Sequence, residues 1–341
     1  MRARLALATV ALLVAGVLAA GCGGGAETTG TGGASGPSAE SRPAPPRSEF
    51  PAPDGRSLGE VLKLGDKPAE LKVEPAGTVF YAGENRYPFG VYARDRTPVD
   101  DAEVAIYFAR VPPAKEGKAL DQEALGPFPA RIETLATDPE FAATKSFDGP
   151  NATGVVYSTQ IDFPRDGRWL MAALVKEDDE LGGAVLGAVE VGEFSSIPRA
   201  GEKAPVIHTP TAADVGGDLS KLSTRVPPDT QNKVDYADAL GKEPIVLLFA
   251  TPQFCQSRVC GPVVDVTEQA KQEYGDQAAF IHMEIFNNND PGDLVRPQVR
   301  AFRLPSEPWL FTIDRRGVIS DAVEGAFGLE LLDEAIEKAI R

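Results

Sequence analysis

Cysteine, histidine and basic residues are all scarce in this sequence. Its 341 residues include three Cys and two His, and 34 Lys and Arg stand against 50 Asp and Glu, a net charge of −16. The acidic balance argues against nucleic acid as a partner. The shortage of histidine argues against a metal site, because His208 falls in a linker and His282 in an apolar strand pattern, where structural roles are commoner.

The sequence also lacks an apolar run of the ~20 residues that a membrane-spanning helix needs. Its first residues are Arg2 and Arg4 in a short basic region, then an apolar run over 5–20, then "LAAGC" ending at Cys22. This order is typical of a cleaved export signal. The small residues before the cysteine resemble the lipobox of bacterial lipoproteins. The resemblance implies a signal peptide over 1–21, lipidation of Cys22 and an extracytoplasmic protein anchored to the bacterial cell membrane, with an ordinary secretory signal as the alternative.

Periodicity predicts two domains after the signal. Residues 22–57, rich in Gly, Ser, Thr and Pro, predict a flexible tether. Over 66–194 apolar residues alternate with polar ones between turn signals, which predicts an all-β immunoglobulin-like sandwich. Residues 195–231 read as linker and lead-in, and from 205 to 341 strand and helix patterns alternate, which predicts an α/β domain.

Two of the three cysteines, Cys255 and Cys260, lie five positions apart in "FATPQFCQSRVCGP". An exported chain folds where disulfides persist, and these two can pair without leaving an orphan. Within one regular helix five residues rise ~7.5 Å and rotate ~140°, whereas disulfides need Cα separations of ~4.4–6.8 Å. The spacing therefore predicts that Cys255 lies in the loop ahead of the helix, or that the first turn unwinds on oxidation. Cys255 is then expected to be the more exposed and more reactive thiol.

Two motifs around this pair resemble the thioredoxin superfamily. One is the strand pattern "IVLLFA" leading to Phe254-Cys255, and the other is Pro308 directly before "WLFTID" and an "RRG" turn. The likeness covers about 205–341 and is closest to extracytoplasmic thiol-disulfide oxidoreductases of the TlpA and ResA type. It implies a thioredoxin-like fold for the α/β domain.

The resemblance also implies roles for individual residues. Cys255 would be the attacking thiolate and Cys260 would resolve the mixed disulfide. Pro308 would be the cis-proline facing the sulfurs, Glu307 a candidate acid/base beside it, and Arg258 a positive charge near the thiols. The expected reaction needs no cofactor and no metal. Its partners would be protein thiols or disulfides and an unidentified redox partner.

Three other interpretations of the pair remain open. Some peroxiredoxin-like thiol peroxidases share the Cys-x4-Cys spacing, but they carry Thr three residues before the first cysteine, where this chain has Pro252. Copper carriers of the Sco type use two thiolates and a late histidine, and no histidine follows His282. The third interpretation is a non-catalytic binding lipoprotein in which the two cysteines form a static disulfide or remain buried thiols.

Overall fold

The structure is a computed structural model, and it describes residues 40–144, 154–177, 180–194 and 196–341. The strands of these residues are, in chain order, β1 (Lys67–Pro68), β2 (Lys72–Pro75), β3 (Gly83–Tyr92), β4 (Glu103–Arg110), β5 (Leu125–Pro129), β6 (Arg131–Thr134), β7 (Val155–Phe163), β8 (Gly167–Glu177), β9 (Glu180–Val191), β10 (Ile245–Phe249), β11 (Ala279–Met283), β12 (Trp309–Ile313) and β13 (Ile319–Glu324). The α-helices are α1 (Leu58–Leu62), α2 (Tyr236–Ala239), α3 (Cys260–Tyr274), α4 (Pro297–Phe302) and α5 (Leu329–Ile340).

Two sheets between Lys67 and Val191, here called the paired sheets, share one core. Their strand orders are β2-β3-β7-β6 and β1-β9-β8-β4-β5. The alternating pattern directs one face of each sheet inward, and both faces contribute to the same buried cluster. Aromatic side chains dominate it: the Trp169 ring lies 5.5 Å from that of Phe108 and 5.9 Å from that of Phe163.

The described part of the predicted tether, residues 40–57, lies against the paired sheets. Phe50 is buried in a cluster on the outer face of β4 and β8. Pro51 accepts a 2.8 Å hydrogen bond from the Tyr107 hydroxyl, and Arg42 pairs with Ile132 through two backbone hydrogen bonds. A Gly- and Pro-rich composition predicts flexibility, but one large aromatic side chain supplies enough apolar area to attach the segment.

The third sheet, here called the C-terminal sheet, has the strand order β11-β10-β12-β13. Strand β10 is parallel to β11 and antiparallel to β12. Every residue of β10 is buried, as its continuous apolar run predicts. Helices α3 and α5 contribute to the apolar cluster on one face of this sheet, and α2 and α4 contribute to the cluster on the other.

Polar contacts join the paired sheets to the C-terminal sheet. The buried Glu133 carboxylate accepts hydrogen bonds from Ser158 Oγ at 2.6 Å and from the Gly328 N–H at 3.3 Å. Arg86 contacts the same carboxylate at 3.3 Å and donates to the Ala326 carbonyl at 2.7 Å. The Glu133 carboxylate and the Arg86 guanidinium therefore neutralise one another, as the burial of charge requires.

The predicted fold class, an all-β immunoglobulin-like sandwich followed by an α/β thioredoxin-like domain, is wrong. Over the residues that the structure describes, strand outweighs helix, 33% against 19%, in three sheets and five helices, and no clear α/β thioredoxin-like domain is evident there. One expected helical segment is shorter than its pattern predicts. The pattern over 293–304 predicts a helix, but α4 begins only at Pro297, because the residue before a proline is held extended. It ends at Arg303, which adopts a left-handed conformation.

Candidate functional site: the cysteine pair and its cleft

The cysteine pair lies where β10 ends and α3 begins. The Cys255 N–H donates to the Thr251 carbonyl at 3.1 Å within a turn, and Cys260 is the first residue of α3. The helix begins there because Arg258, with a φ of 61°, is not helical. Pro262 fits its first turn, where an N–H lacks an intrahelical partner. Of the two arrangements that the spacing predicts, the structure has the one with Cys255 in the loop ahead of the helix.

The two sulfur atoms are within bonding range of one another. The Cα atoms of Cys255 and Cys260 are 5.9 Å apart. This separation falls inside the ~4.4–6.8 Å range of disulfides and below the ~7.5 Å rise of five helical residues. The loop therefore lets two residues five positions apart pair beside an intact helix.

Both cysteines are buried, but not equally. Cys255 is 5% exposed and Cys260 is fully buried. They belong to an apolar cluster that also contains Leu135 and Val156 from the paired sheets. An incoming thiolate can thus reach the sulfur of Cys255 more readily than that of Cys260, in the order that the sequence predicts.

Polar groups around the pair favour negative charge on sulfur. Ser257 Oγ lies 3.2 Å from Cys255 Sγ, so in the reduced protein its hydroxyl can donate to a thiolate. The N-cap residue of α3, Val259, offers no side-chain acceptor to the first N–H groups of the helix. Those N–H groups and the positive end of the helix dipole stabilise an anion at this end.

Glu307 and Pro308 precede β12. The peptide bond between them is cis, and the Pro308 carbonyl accepts a 2.9 Å hydrogen bond from the Gly325 N–H. The Glu307 carboxylate forms no hydrogen bond or ion pair with the described residues, and burial raises its pKa above the usual value. Its role as an acid/base stays a prediction.

A cleft of about 430 Å³ brings together the supporting residues named from the sequence. It is lined by Arg258 from the cysteine loop and by Glu307 and Pro308 from the segment before β12. Its volume lies within the ~300–1,000 Å³ typical of ligand sites. Arg258 is far in sequence from Glu307 and Pro308, and the fold brings them to one cavity.

Other lining residues of the cleft carry no signal in the sequence. They belong to the paired sheets and include Phe89 and Tyr92 of β3 and Arg96 of the turn after it. Nothing local in "GVYARDRTP" distinguishes these residues from an ordinary strand and turn. Only the packing of the paired sheets against the cysteine loop makes them part of a candidate site.

His282, the residue considered for copper, serves a structural pair. Its Nδ1 lies 2.8 Å from Asp229 Oδ2 and its Nε2 lies 3.1 Å from the Ala250 carbonyl oxygen. Both partners are acceptors, which favours a doubly protonated ring. Burial alone lowers the pKa of His282, but the Asp229 carboxylate outweighs this and raises it to about 9. The same contact lowers the pKa of Asp229 despite its burial.

Further polar contacts fix α3 in place. Arg225 Nε donates to Asp265 Oδ1 at 2.6 Å, and both side chains are almost fully buried. Gln231 donates to Thr267 Oγ1 at 3.0 Å, and its backbone carbonyl accepts from the His282 N–H. The loop-rich segment before β10 is thereby tied to the helix that carries Cys260.

The remaining points from the sequence concern the N-terminal signal, metal binding and membrane-spanning helices. Cys22 and the predicted signal peptide at 1–21 lie outside the described residues. Within the described ranges, no group of three or more His, Cys, Asp or Glu side chains is placed to hold a metal ion. Nor does that part of the chain contain a helix with the length and apolarity to cross a membrane.

Comparisons of the chain with protein-family models, with curated proteins and with solved structures find no match in any of the three. What the site does is therefore inferred from its own residues and geometry.

Proposed function

We propose that this protein is a thiol-disulfide oxidoreductase that acts on protein thiols or disulfides through Cys255 and Cys260. The observation that carries the proposal is the placement of a closable cysteine pair at the start of α3, with Cys255 in the preceding loop and a cleft beside it. The motifs at Phe254-Cys255 and Pro308 resemble those of extracytoplasmic oxidoreductases, which supports the same reaction class.

The reaction is a reversible two-step exchange. A substrate thiolate attacks Cys255 Sγ, a mixed disulfide forms, and Cys260 leaves as a thiolate. A second substrate thiolate then attacks the substrate sulfur of the mixed disulfide and releases Cys255. The substrate dithiol is oxidised to a disulfide, and the protein pair takes up two electrons and, after protonation, two protons.

Trapping the mixed disulfide tests this assignment. Cys260→Ser leaves Cys255 without its resolving partner, so incubation with oxidised glutathione should add one glutathione to Cys255, detected by peptide mass spectrometry. Cys255→Ser is the matched control, and its buried Cys260 should react far more slowly. Equal or faster modification of Cys260 would contradict the roles assigned to the two sulfurs.

We also propose export and lipid anchoring at Cys22, on the strength of "LAAGC" and the Gly-rich residues after it. The substrates and the redox partner are then extracytoplasmic proteins. Cys22→Ser should shift the protein from the membrane fraction to the soluble fraction of cells. A wild-type protein already found in the soluble fraction would contradict the anchor.

One observation favours a second candidate function, a non-catalytic binding protein with a static disulfide. Cys260 is fully buried and Cys255 nearly so, inside an apolar cluster shared with the paired sheets. Dithiothreitol would not reduce a static disulfide in the folded protein and would reduce it only after denaturation. The oxidoreductase proposal expects reduction of the folded protein.

A further inference from the structure

The paired sheets give the cleft an aromatic wall. A Cβ atom at Gly90 would lie 2.7 Å from the Tyr92 ring, so the glycine lets this ring lie close across the backbone of β3. Phe89 lies beneath the same surface and is fully buried. The ring and the strand line the same cleft as the exposed cysteine-loop residues Gln256 and Ser257.

Arg96 stands at the end of this wall in a fixed turn. Its φ is 72°, and its N–H donates to the Ala93 carbonyl at 3.0 Å. The Ala93 N–H in turn donates to the Thr97 carbonyl at 2.8 Å. Asp95 Oδ1 accepts from the Thr97 N–H at 3.0 Å. The Arg96 side chain is exposed and has no ion pair with the described residues. The turn therefore presents a guanidinium to the cleft without an anion to neutralise it.

The cleft is lined by equal numbers of cationic and anionic side chains. Its cations are Arg96 and Arg258, and its anions are Glu74 and Glu307. Burial raises the pKa of Glu307, the direction that disfavours its charged form. The lining is thus less acidic than the whole chain, whose net charge of −16 repels acidic ligands at long range, and Arg96 supplies a local cation.

We propose that Arg96 is a specificity-determining residue that selects peptide segments in which an acidic side chain adjoins the reacting cysteine. The proposal rests on the proposed thiol-disulfide exchange and names its substrate class. The substrate cysteine would meet Cys255 at the loop, its backbone would lie along Tyr92, and its carboxylate would pair with Arg96, for which a guanidinium fork is well suited.

The test uses three blocked peptides, acetyl-Ala-Cys-Xaa-amide with Asp, Asn or Lys as Xaa, as reductants of the oxidised full-length protein. Two peptide thiols become one peptide disulfide as the Cys255–Cys260 bond is reduced. The ratio of the second-order rate constants for the Asp and Lys peptides is compared between variants. Differences in the intrinsic reactivity of the peptides cancel in that comparison.

The expected result is a loss of Asp-over-Lys preference of about two- to five-fold in Arg96→Gln, the size of an exposed ion pair. Arg96→Lys should retain much of the preference. Arg94→Gln, an identical charge change at an exposed residue of the same turn, should leave it unchanged. About 0.5 M salt should reproduce the loss in the wild type by screening.

An unchanged Asp-to-Lys ratio in Arg96→Gln, with exchange still proceeding, would overturn the Arg96 assignment alone. Failure of every peptide and of dithiothreitol to reduce the folded wild type would overturn the proposed function and the specificity together.

Discussion

Trp169 in the paired sheets and His282 in the C-terminal sheet are both buried, but their surroundings differ. Trp169 packs against aromatic rings, and its one polar atom donates to the Arg165 carbonyl at 3.2 Å. His282 forms a buried ion pair with Asp229. The interior shared by the paired sheets is apolar and aromatic, whereas the face of the C-terminal sheet under α3 also contains charges.

Buried charges, which are costly to desolvate, are thus found under α3 rather than in the core shared by the paired sheets. Apolar burial stabilises the paired sheets without fixing any particular polar geometry. Under α3, by contrast, Arg225 joins the irregular segment before β10 to Asp265 of the helix, and Asp229 joins the same segment to His282 of β11. Hydrogen bonds impose direction, so these contacts position α3 and with it Cys260.

The largest expected effect is the loss of the buried ion pair. Asp229→Asn leaves His282 without its counter-ion, and removing one partner of a buried pair costs about 3–5 kcal/mol. Urea denaturation should show a loss of this size in the free energy of unfolding. Asp276→Asn, at an exposed position, is the control. A loss below about 1 kcal/mol would contradict the structural role of the pair.

The same pair makes stability depend on pH. The folded-state pKa of His282 is raised from 6.5 to about 9. Its contribution is therefore complete below pH 6.5 and is lost as the pH rises through 9. The free energy of unfolding of the wild type should fall over this pH interval. The fall should be smaller than the loss caused by Asp229→Asn, because the neutral His282 ring still forms a hydrogen bond with Asp229. His282→Gln should abolish this pH dependence of the free energy of unfolding. If the variant keeps the wild-type pH dependence, titration of other groups causes it.

A core substitution in the paired sheets should act without pH dependence. Ile106→Val removes one methylene from the aromatic core and should cost about 1 kcal/mol. The loss should be equal at pH 6.5 and pH 9, because the neighbouring side chains of the cluster are apolar. A cost that varies with pH would mean that the two interiors are coupled more closely than their composition indicates.

The smallest expected effect concerns Ser257. Ser257→Ala removes the hydroxyl 3.2 Å from Cys255 Sγ. Alkylation of Cys255 in the reduced protein at neutral pH should slow about two- to five-fold, the worth of one modest hydrogen bond. Ser220→Ala, on an exposed segment, should leave the rate unchanged. A faster reaction in Ser257→Ala would mean that the hydroxyl shields the sulfur rather than activating it.

Local patterns predict most strands but not the architecture. Strand β8, Gly167–Glu177, contains a continuous apolar run over 169–175 and lies within the region where strands are predicted. Strand β5, Leu125–Pro129, was missed because "LGPFP" contains a glycine and two prolines, which ordinarily break strands. The predicted fold class is wrong in part because helical patterns overstate helix length: α4 has only six residues, since it begins at Pro297 and ends at the left-handed Arg303.

Some residues of the candidate site can be predicted from local sequence signals, and others only from the fold. Cys255, Cys260 and Pro308 carry local signals, in their spacing or in the motif that follows. Helix geometry left two arrangements of the cysteine pair open, and the structure has the one with Cys255 in the loop. Tyr92 and Arg96 carry none, because their place in the cleft depends on how the paired sheets pack against the cysteine loop. Residues close in space but more than 150 positions apart leave no periodic trace in a single sequence.

The most direct test of the account is the reduction potential of the Cys255–Cys260 pair in the folded protein. The protein would be equilibrated in glutathione redox buffers without denaturant, the thiols trapped by acid and alkylation, and the redox state read by mass spectrometry. A pair that exchanges with thiols as proposed should show a reversible two-electron transition with the near-UV circular dichroism of the fold preserved. A disulfide that stays oxidised until the protein is denatured would contradict it and leave the cysteines as a static link.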